Sequence, residues 1–156
     1  MIAAAVTATA LALTAPAAPP AAGAPFATIS IPAIGLHALV REGVSQRVLD
    51  LGPGHYPGSG LPGGRRAVAI AGHRVTHTRP FLRINELTRG QRIVLTRRSH
   101  RFVYRVSAMR VVDPTDVWPI RMRPTVQRLV LTACHPPHTD RQRLVVFAKL
   151  VDADVA

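Results

Sequence analysis

Cys134 is the only cysteine in the chain, and it stands in Leu131-Thr132-Ala133-Cys134-His135-Pro136-Pro137, at the end of an apolar, β-branched run. No intramolecular disulfide can form, so the sulfur is either a small buried apolar group or a working thiol. A thiol attacks a carbonyl carbon as thiolate, and nearby cations lower its pKa from about 8.5. Arg143 heads the next apolar run nine positions later, and His73 closes an earlier one. Thiol, imidazole and guanidinium are the parts of covalent acyl transfer: a nucleophile, a proton carrier and a donor to the oxyanion. One such oxyanion donor is typically worth about 10²–10³ in rate. The basic surroundings favour a working thiol.

Those groups act together only if strands position them. Side chains alternate faces along a strand, so Val130 and Thr132 share the face of Cys134, while Leu131 and Ala133 share the other. His135 then points away from the thiol and makes a poor base despite its adjacency. On the following run Arg143, Val145 and Phe147 share a face. The loop from His135 to Gln142 lets the two runs pair as an antiparallel hairpin, which sets Arg143 beside Cys134. Nothing in the spacing brings His73 to them; it comes from a distant strand end. Cys134-His135-x-x-His138 invites a zinc reading, but it lacks a second spaced pair, and Pro136-Pro137 constrains the backbone. No metal and no cofactor are expected.

The rest of the chain reads as short strands. Thr28 to Ile31 alternates in period two, and Ile34-Gly35-Leu36 leads into Ala38-Leu39-Val40. Ser45 is placed to cap one or two helical turns through Val48 and Leu49, stopped by Gly52-Pro53-Gly54. Tyr56 to Gly64 is loop, and Ala67 to Ala71 is a buried strand ending at Gly72-His73. Phe81, Ile84 and Leu87 have helical spacing after Pro80, with Gly90 as the stop. Ile93 to Leu95 and Phe102 to Val106 flank a hairpin at Arg98-Ser99-His100. A bulge falls near Ala108, where Met109 and Val111 break the alternation. Leu129 to Thr132 and Leu144 to Phe147 are the last two strands. No internal repeat is visible. The class is all-β, a barrel or sandwich with two or so short helices.

Composition narrows the alternatives. With 156 residues there is room for one domain with a real core. Fourteen prolines and eleven glycines suit a loop-rich β protein. Twenty basic residues, nineteen of them arginine, stand against eight acidic ones, for a net charge of +12. Such a surface attracts polyanions, but the arginines are spread over many segments, and aromatic residues make up only 4%. That excludes a base-stacking platform, and no specific nucleic-acid binding is expected. Residues 1–25 are expected to be an apolar remnant followed by an Ala/Pro-rich linker, with the catalytic domain at 26–152. Met1 to Leu13 is too short for a span of about 20 residues. It is read either as the distal part of a signal or membrane anchor whose basic beginning is missing, or as a disordered tail.

Three ordered segments resemble the sortase family of bacterial cell-surface cysteine transpeptidases. Thr28-Ile29-Ser30-Ile31-Pro32-Ala33-Ile34-Gly35-Leu36 is similar to the family's first strand. Gly54-His55-Tyr56-Pro57-Gly58-Ser59-Gly60-Leu61-Pro62-Gly63, then Ala69-Ile70-Ala71-Gly72-His73-Arg74, resemble the stretch leading to the catalytic histidine. Leu131-Thr132-Ala133-Cys134 with Arg141-Gln142-Arg143-Leu144-Val145-Val146 resembles the cysteine and arginine strands. The resemblance runs from about Phe26 to Leu150 and is closest to actinobacterial class E, with class D next. It implies an eight-stranded closed β-barrel with Cys134 as nucleophile, His73 as acid/base and Arg143 as oxyanion or substrate group; Arg141 is the competitor. It further implies cleavage of a Leu-Pro-x-Thr-Gly or Leu-Ala-x-Thr-Gly sorting signal between Thr and Gly, and transfer to an amine of a peptidoglycan precursor. The expected setting is the extracytoplasmic face of the bacterial membrane, as a monomer with an N-terminal anchor. Many members carry Thr-Leu-x-Thr-Cys; here Val130 and Ala133 replace both threonines. Acidic residues are too few and scattered for the calcium site of some class A members. The alternative of another class is a non-catalytic barrel that binds envelope polymer or peptide; a cysteine hydrolase is the alternative among enzymes.

Overall fold

The computed structural model describes residues 18–125 and 127–155. The segment read as an anchor remnant, Met1 to Leu13, lies outside them. Eight strands close into a barrel in the order β1-β2-β3-β4-β7-β8-β6-β5. They are β1 (Pro25–Ile31), β2 (Leu36–Glu42), β3 (Gly54–His55), β4 (Val68–Ala71), β5 (Arg92–Arg97), β6 (His100–Val112), β7 (Arg128–His135) and β8 (Gln142–Val155). Two four-residue helices, α1 (Gln46–Leu49) and α2 (Trp118–Arg121), complete the regular elements together with two 3₁₀ turns. No described helix is long and apolar enough to cross a membrane.

Alternation along the strands divides the apolar residues between two layers. Leu129, Leu131 and Ala133 of β7 and Leu144, Val146 and Ala148 of β8 point into the barrel core. Val130, Val145 and Phe147 point outward, where they pack with Ala67, Ala69 and the α2 segment. Trp118 of α2 stacks on Phe147 with ring centroids 5.6 Å apart. The outer face of β7 and β8 is therefore apolar at one end. At the other end Cys134 and Arg143 succeed Val130 and Val145 on that same outward face.

Several sequence expectations are altered in detail. The segment after Pro80 forms turns and a single 3₁₀ turn at Ile84–Glu86, not a helix. Phe81, Ile84 and Leu87 are nonetheless all buried in the core, so their spacing reported burial and not helicity. His77 and Arg79 lie in the left-handed region (φ 52° and 45°), which turns the chain just before Pro80. Ile34 belongs to a 3₁₀ turn closed by Gly35, ahead of β2. The second helix is α2, in a stretch the apolar periodicity does not mark. β3 is only two residues long and bridges β2 and β4. The bulge near Ala108 is present as a register shift in the β6–β8 pairing between Val106 and Ala108, and a second shift opposite Val103/Tyr104 leaves Val151 of β8 unpaired. Its effect is to send Ala108 outward, away from the core side where Tyr104 and Val106 lie.

Candidate active site

Two pairings assemble the site. β7 and β8 are antiparallel, and Cys134 is the register partner of Arg143. β4 and β7 are parallel, with Ala71 opposite Thr132, and the ladder continues as Gly72 donates its N–H to the Thr132 carbonyl at 3.1 Å. Two residues beyond the Ala71–Thr132 pair stand His73 after β4 and Cys134 on β7, so the parallel register brings both to the same end of the sheet, where they line one cleft. Gly72 allows a close approach there: a Cβ on it would meet the Phe81 ring at 2.6 Å. The buried Phe81 thus seats the turn that carries His73, whose carbonyl accepts from the Phe81 N–H.

Cys134, His73 and Arg143 line one cleft of about 320 Å³, together with Gln46, Tyr56 and Asp140. A second opening of about 470 Å³ meets it at Cys134 and His73, and its wall includes Arg74, His77, His138 and Asp140. Cys134 is only partly buried and is free. The Arg143 guanidinium donates through Nη1 to the carbonyls of Asp140 (2.8 Å) and Gln142 (3.0 Å), which holds it at the rim. Arg141 sits on the exposed turn before β8. Thr132, on the face of Cys134, pairs its hydroxyl with that of Tyr56 at 3.0 Å. Ala133 packs in the core, so the side chain immediately before the thiol faces the barrel interior.

Neighbours of His73 that sequence reasoning passes over come from α1 and the following loop. His73 Nε2 lies 3.2 Å from Asp50 Oδ1 and 3.2 Å from Gln46 Nε2. His77 Nε2 is 3.1 Å from the same Asp50 oxygen. Local signals for these residues were weak: Asp50 merely follows a short helix, and His77 lies in a polar turn. The adjacent histidine is engaged elsewhere. His135 Nδ1 accepts from Arg74 Nη1 at 3.0 Å, so its proton sits on Nε2. Arg74 is buried, and that burial lowers its pKa from the ordinary arginine value. Among the described residues Cys134, His135 and His138 form no cluster of converging ligand atoms, and Nδ1 of His135 is taken by Arg74.

A different polar chain runs behind β3. His55 Nδ1 pairs with Glu42 Oε2 at 2.9 Å, while Nε2 faces the Gly60 carbonyl and the Ser59 hydroxyl, each at 2.9 Å. The order Ser–His–Glu resembles a hydrolase triad, but Ser59 Oγ also accepts the Ala69 N–H at 3.2 Å. His55 is 3% exposed and lies flat on Phe26, ring centroids 3.9 Å apart. Every polar atom of that ring is taken up by the fold, which makes the chain a brace between β2, β3 and the 56–60 loop.

Comparison with known proteins agrees with this geometry. The sortase domain family matches residues 29–151. Sortase SrtE1 of Streptomyces coelicolor is 34% identical over an alignment covering 83% of this chain and 41% of that protein. Sortase D of Bacillus subtilis is 30% identical, covering 75% and 58%. The chain spans about half the length of these two relatives. The crystal structure of sortase E1 from Streptomyces coelicolor superposes with a TM-score of 0.79 at 31% identity, covering 85% of this chain and 91% of that one. A match over most of the barrel, with a class E relative and a class D relative both among the similar sequences, leaves one assignment: the chain belongs to the sortase family.

Proposed function

We propose that this protein is a cysteine transpeptidase. It cleaves a C-terminal Leu-Pro-x-Thr-Gly or Leu-Ala-x-Thr-Gly signal between Thr and Gly and passes the acyl group to an amine of a cell-wall precursor. The observation that carries this reading is the shared cleft of Cys134, His73 and Arg143. The Cys134 sulfur attacks the threonine carbonyl carbon, and the carbonyl oxygen takes the negative charge. Arg143 turns from the loop carbonyls of Asp140 and Gln142 to donate to that oxyanion. Collapse breaks the C–N bond as His73 gives its proton to the departing glycine amine, leaving a thioester on Cys134. An incoming amine then attacks the thioester, its proton passes to His73, and the sulfur leaves as thiolate. A relative crystallised with a tripeptide in its active site supports a peptide in the corresponding cleft here. The cellular setting that fits is the extracytoplasmic face of the membrane, with clients delivered as secreted surface proteins.

Paired fluorogenic peptides, one of each signal type, with and without an amine acceptor, test the proposal. Expected results are cleavage between Thr and Gly, an acyl adduct on Cys134 by mass spectrometry, and a shift of product from free acid to conjugate when amine is added. No adduct and no cleavage would leave a non-catalytic barrel. Cleavage that added amine never diverts would leave a hydrolase.

A further inference from the structure

Asp50, His73 and His77 come from three segments: the residue closing α1, the turn after β4, and the loop beyond it. Their donor atoms nevertheless converge. Asp50 Oδ1 lies 3.2 Å from His73 Nε2 and 3.1 Å from His77 Nε2, and all three atoms fall within 4.8 Å of one another. The two imidazoles pack 5.1 Å apart with a 30° tilt. A tetrahedral ion with bonds of about 2.0–2.1 Å requires donors about 3.3 Å apart. The two short edges are close to that spacing, and the third is at most 4.8 Å.

Gln46 Nε2 is 2.6 Å from Asp50 Oδ1 and 3.2 Å from His73 Nε2, so in the ion-free protein the Asp50 oxygen collects the Gln46 amide and the imidazoles as hydrogen-bond donors. Deprotonated toward a cation, the carboxylate, both imidazoles and a turned Gln46 amide oxygen are all lone-pair donors aimed at one centre.

We propose that Asp50, His73 and His77 bind a first-row divalent cation, with Zn²⁺ the best fit and the Gln46 oxygen or water as fourth donor. Two imidazoles and one carboxylate suit zinc and its neighbours, not the all-oxygen coordination of calcium or magnesium. Because the site takes His73 Nε2, the bound ion holds the ring as a ligand and stops acyl transfer reversibly. That consequence rests on His73 as the proton carrier; the binding itself does not.

The test is titration of the purified protein with Co²⁺ and then Zn²⁺, followed by visible absorption and calorimetry. The expected result is one ion per chain, tetrahedral d–d bands and displacement by Zn²⁺. The same spectrum should persist in Cys134→Ala, without a sulfur-to-cobalt charge-transfer band in the parent protein. His77→Ala should weaken binding at least about tenfold. With peptide substrate, Zn²⁺ should inhibit and chelator should restore turnover. Whatever its own uninhibited rate, His77→Ala should require at least about tenfold more Zn²⁺ to halve that rate. Absence of binding at micromolar Co²⁺ or Zn²⁺ would overturn the proposal. So would a charge-transfer band lost in Cys134→Ala with affinity unchanged in His77→Ala, because the ion would then sit on the thiol. A protein that binds the ion as described but never turns over peptide would refute the transpeptidase reading and leave the metal site standing.

Discussion

One histidine–carboxylate pair ends on the short strand β3 and another stands at the turn after β4, and they serve different ends. His55 and Glu42 are buried at 2.9 Å, with the far side of the ring closed by Gly60 and Ser59. His73 and Asp50 are 3.2 Å apart at the edge of a cleft, with side chains 13% and 33% exposed. Similar functional groups at similar distances thus give a brace in one place and a candidate proton carrier in the other. What separates them is access. A ring whose nitrogens are all engaged by the fold can move no proton to a substrate, whereas His73 shares its cleft with a free thiol.

Substituting each histidine separates the two roles. His73→Ala should lower peptide turnover about 10²–10⁴-fold, the usual span for general acid–base catalysis. Its urea-unfolding free energy should stay within about 1 kcal/mol of the parent. Substantial retained turnover would refute the acid/base role. His55→Ala should do the reverse. Breaking a buried pair by removing one partner costs about 3–5 kcal/mol, read as a lower urea midpoint. Turnover per folded molecule should change little.

Ser59→Ala is a milder probe of the brace and should cost about 1 kcal/mol, a single hydrogen bond, with peptide cleavage retained. Loss of cleavage with folding intact would make Ser59–His55–Glu42 a second reaction centre and reverse the comparison. The arginine rim can be sharpened too. Arg143→Lys should stay impaired, since a point charge does not reproduce a planar guanidinium. Arg141→Ala should matter less, and the opposite ranking in steady-state kinetics would transfer the role to Arg141.

The smallest effect concerns the core behind both pairs. Burial pushes the Tyr104 phenol well above its ordinary value, against a smaller opposing effect of the Gly63 backbone. The folded pKa is raised, so the unfolded chain ionises first. Stability from this group is fully present below about pH 10 and declines as pH rises beyond it. Thermal melts between about pH 9 and 11 should fall less steeply in Tyr104→Phe than in the parent. Equal slopes would show that Tyr104 does not govern the alkaline limb.

Much of the thiol–arginine half of the site is legible because it is local. Alternation puts Thr132 with Cys134 and Val145 with Arg143, and a short connection makes the hairpin the natural pairing. The structure keeps both faces and the register. Periodicity misleads around Phe81, Ile84 and Leu87, where three buried side chains at helical spacing belong to successive turns. A 3.6-residue repeat marks a buried side of the chain, and left-handed residues at His77 and Arg79 reach that burial without a helix. α2 escapes notice because Trp118 and Pro119 cover the outside of the sheet and show no amphipathic stripe.

From composition and order alone come the single thiol, the β class, the face that Cys134 shares with Thr132 and Arg143 with Val145, and the resemblance that runs along the barrel. All depend on neighbours within a strand or hairpin, which the chain itself holds together. His73 reaches Cys134 only through the parallel pairing of β4 with β7, strands separated by more than fifty residues. Asp50, Gln46 and His77 gather around it through loop closure on that pairing. Contacts of such separation carry no local signature, because their stability comes from the closed barrel as a whole.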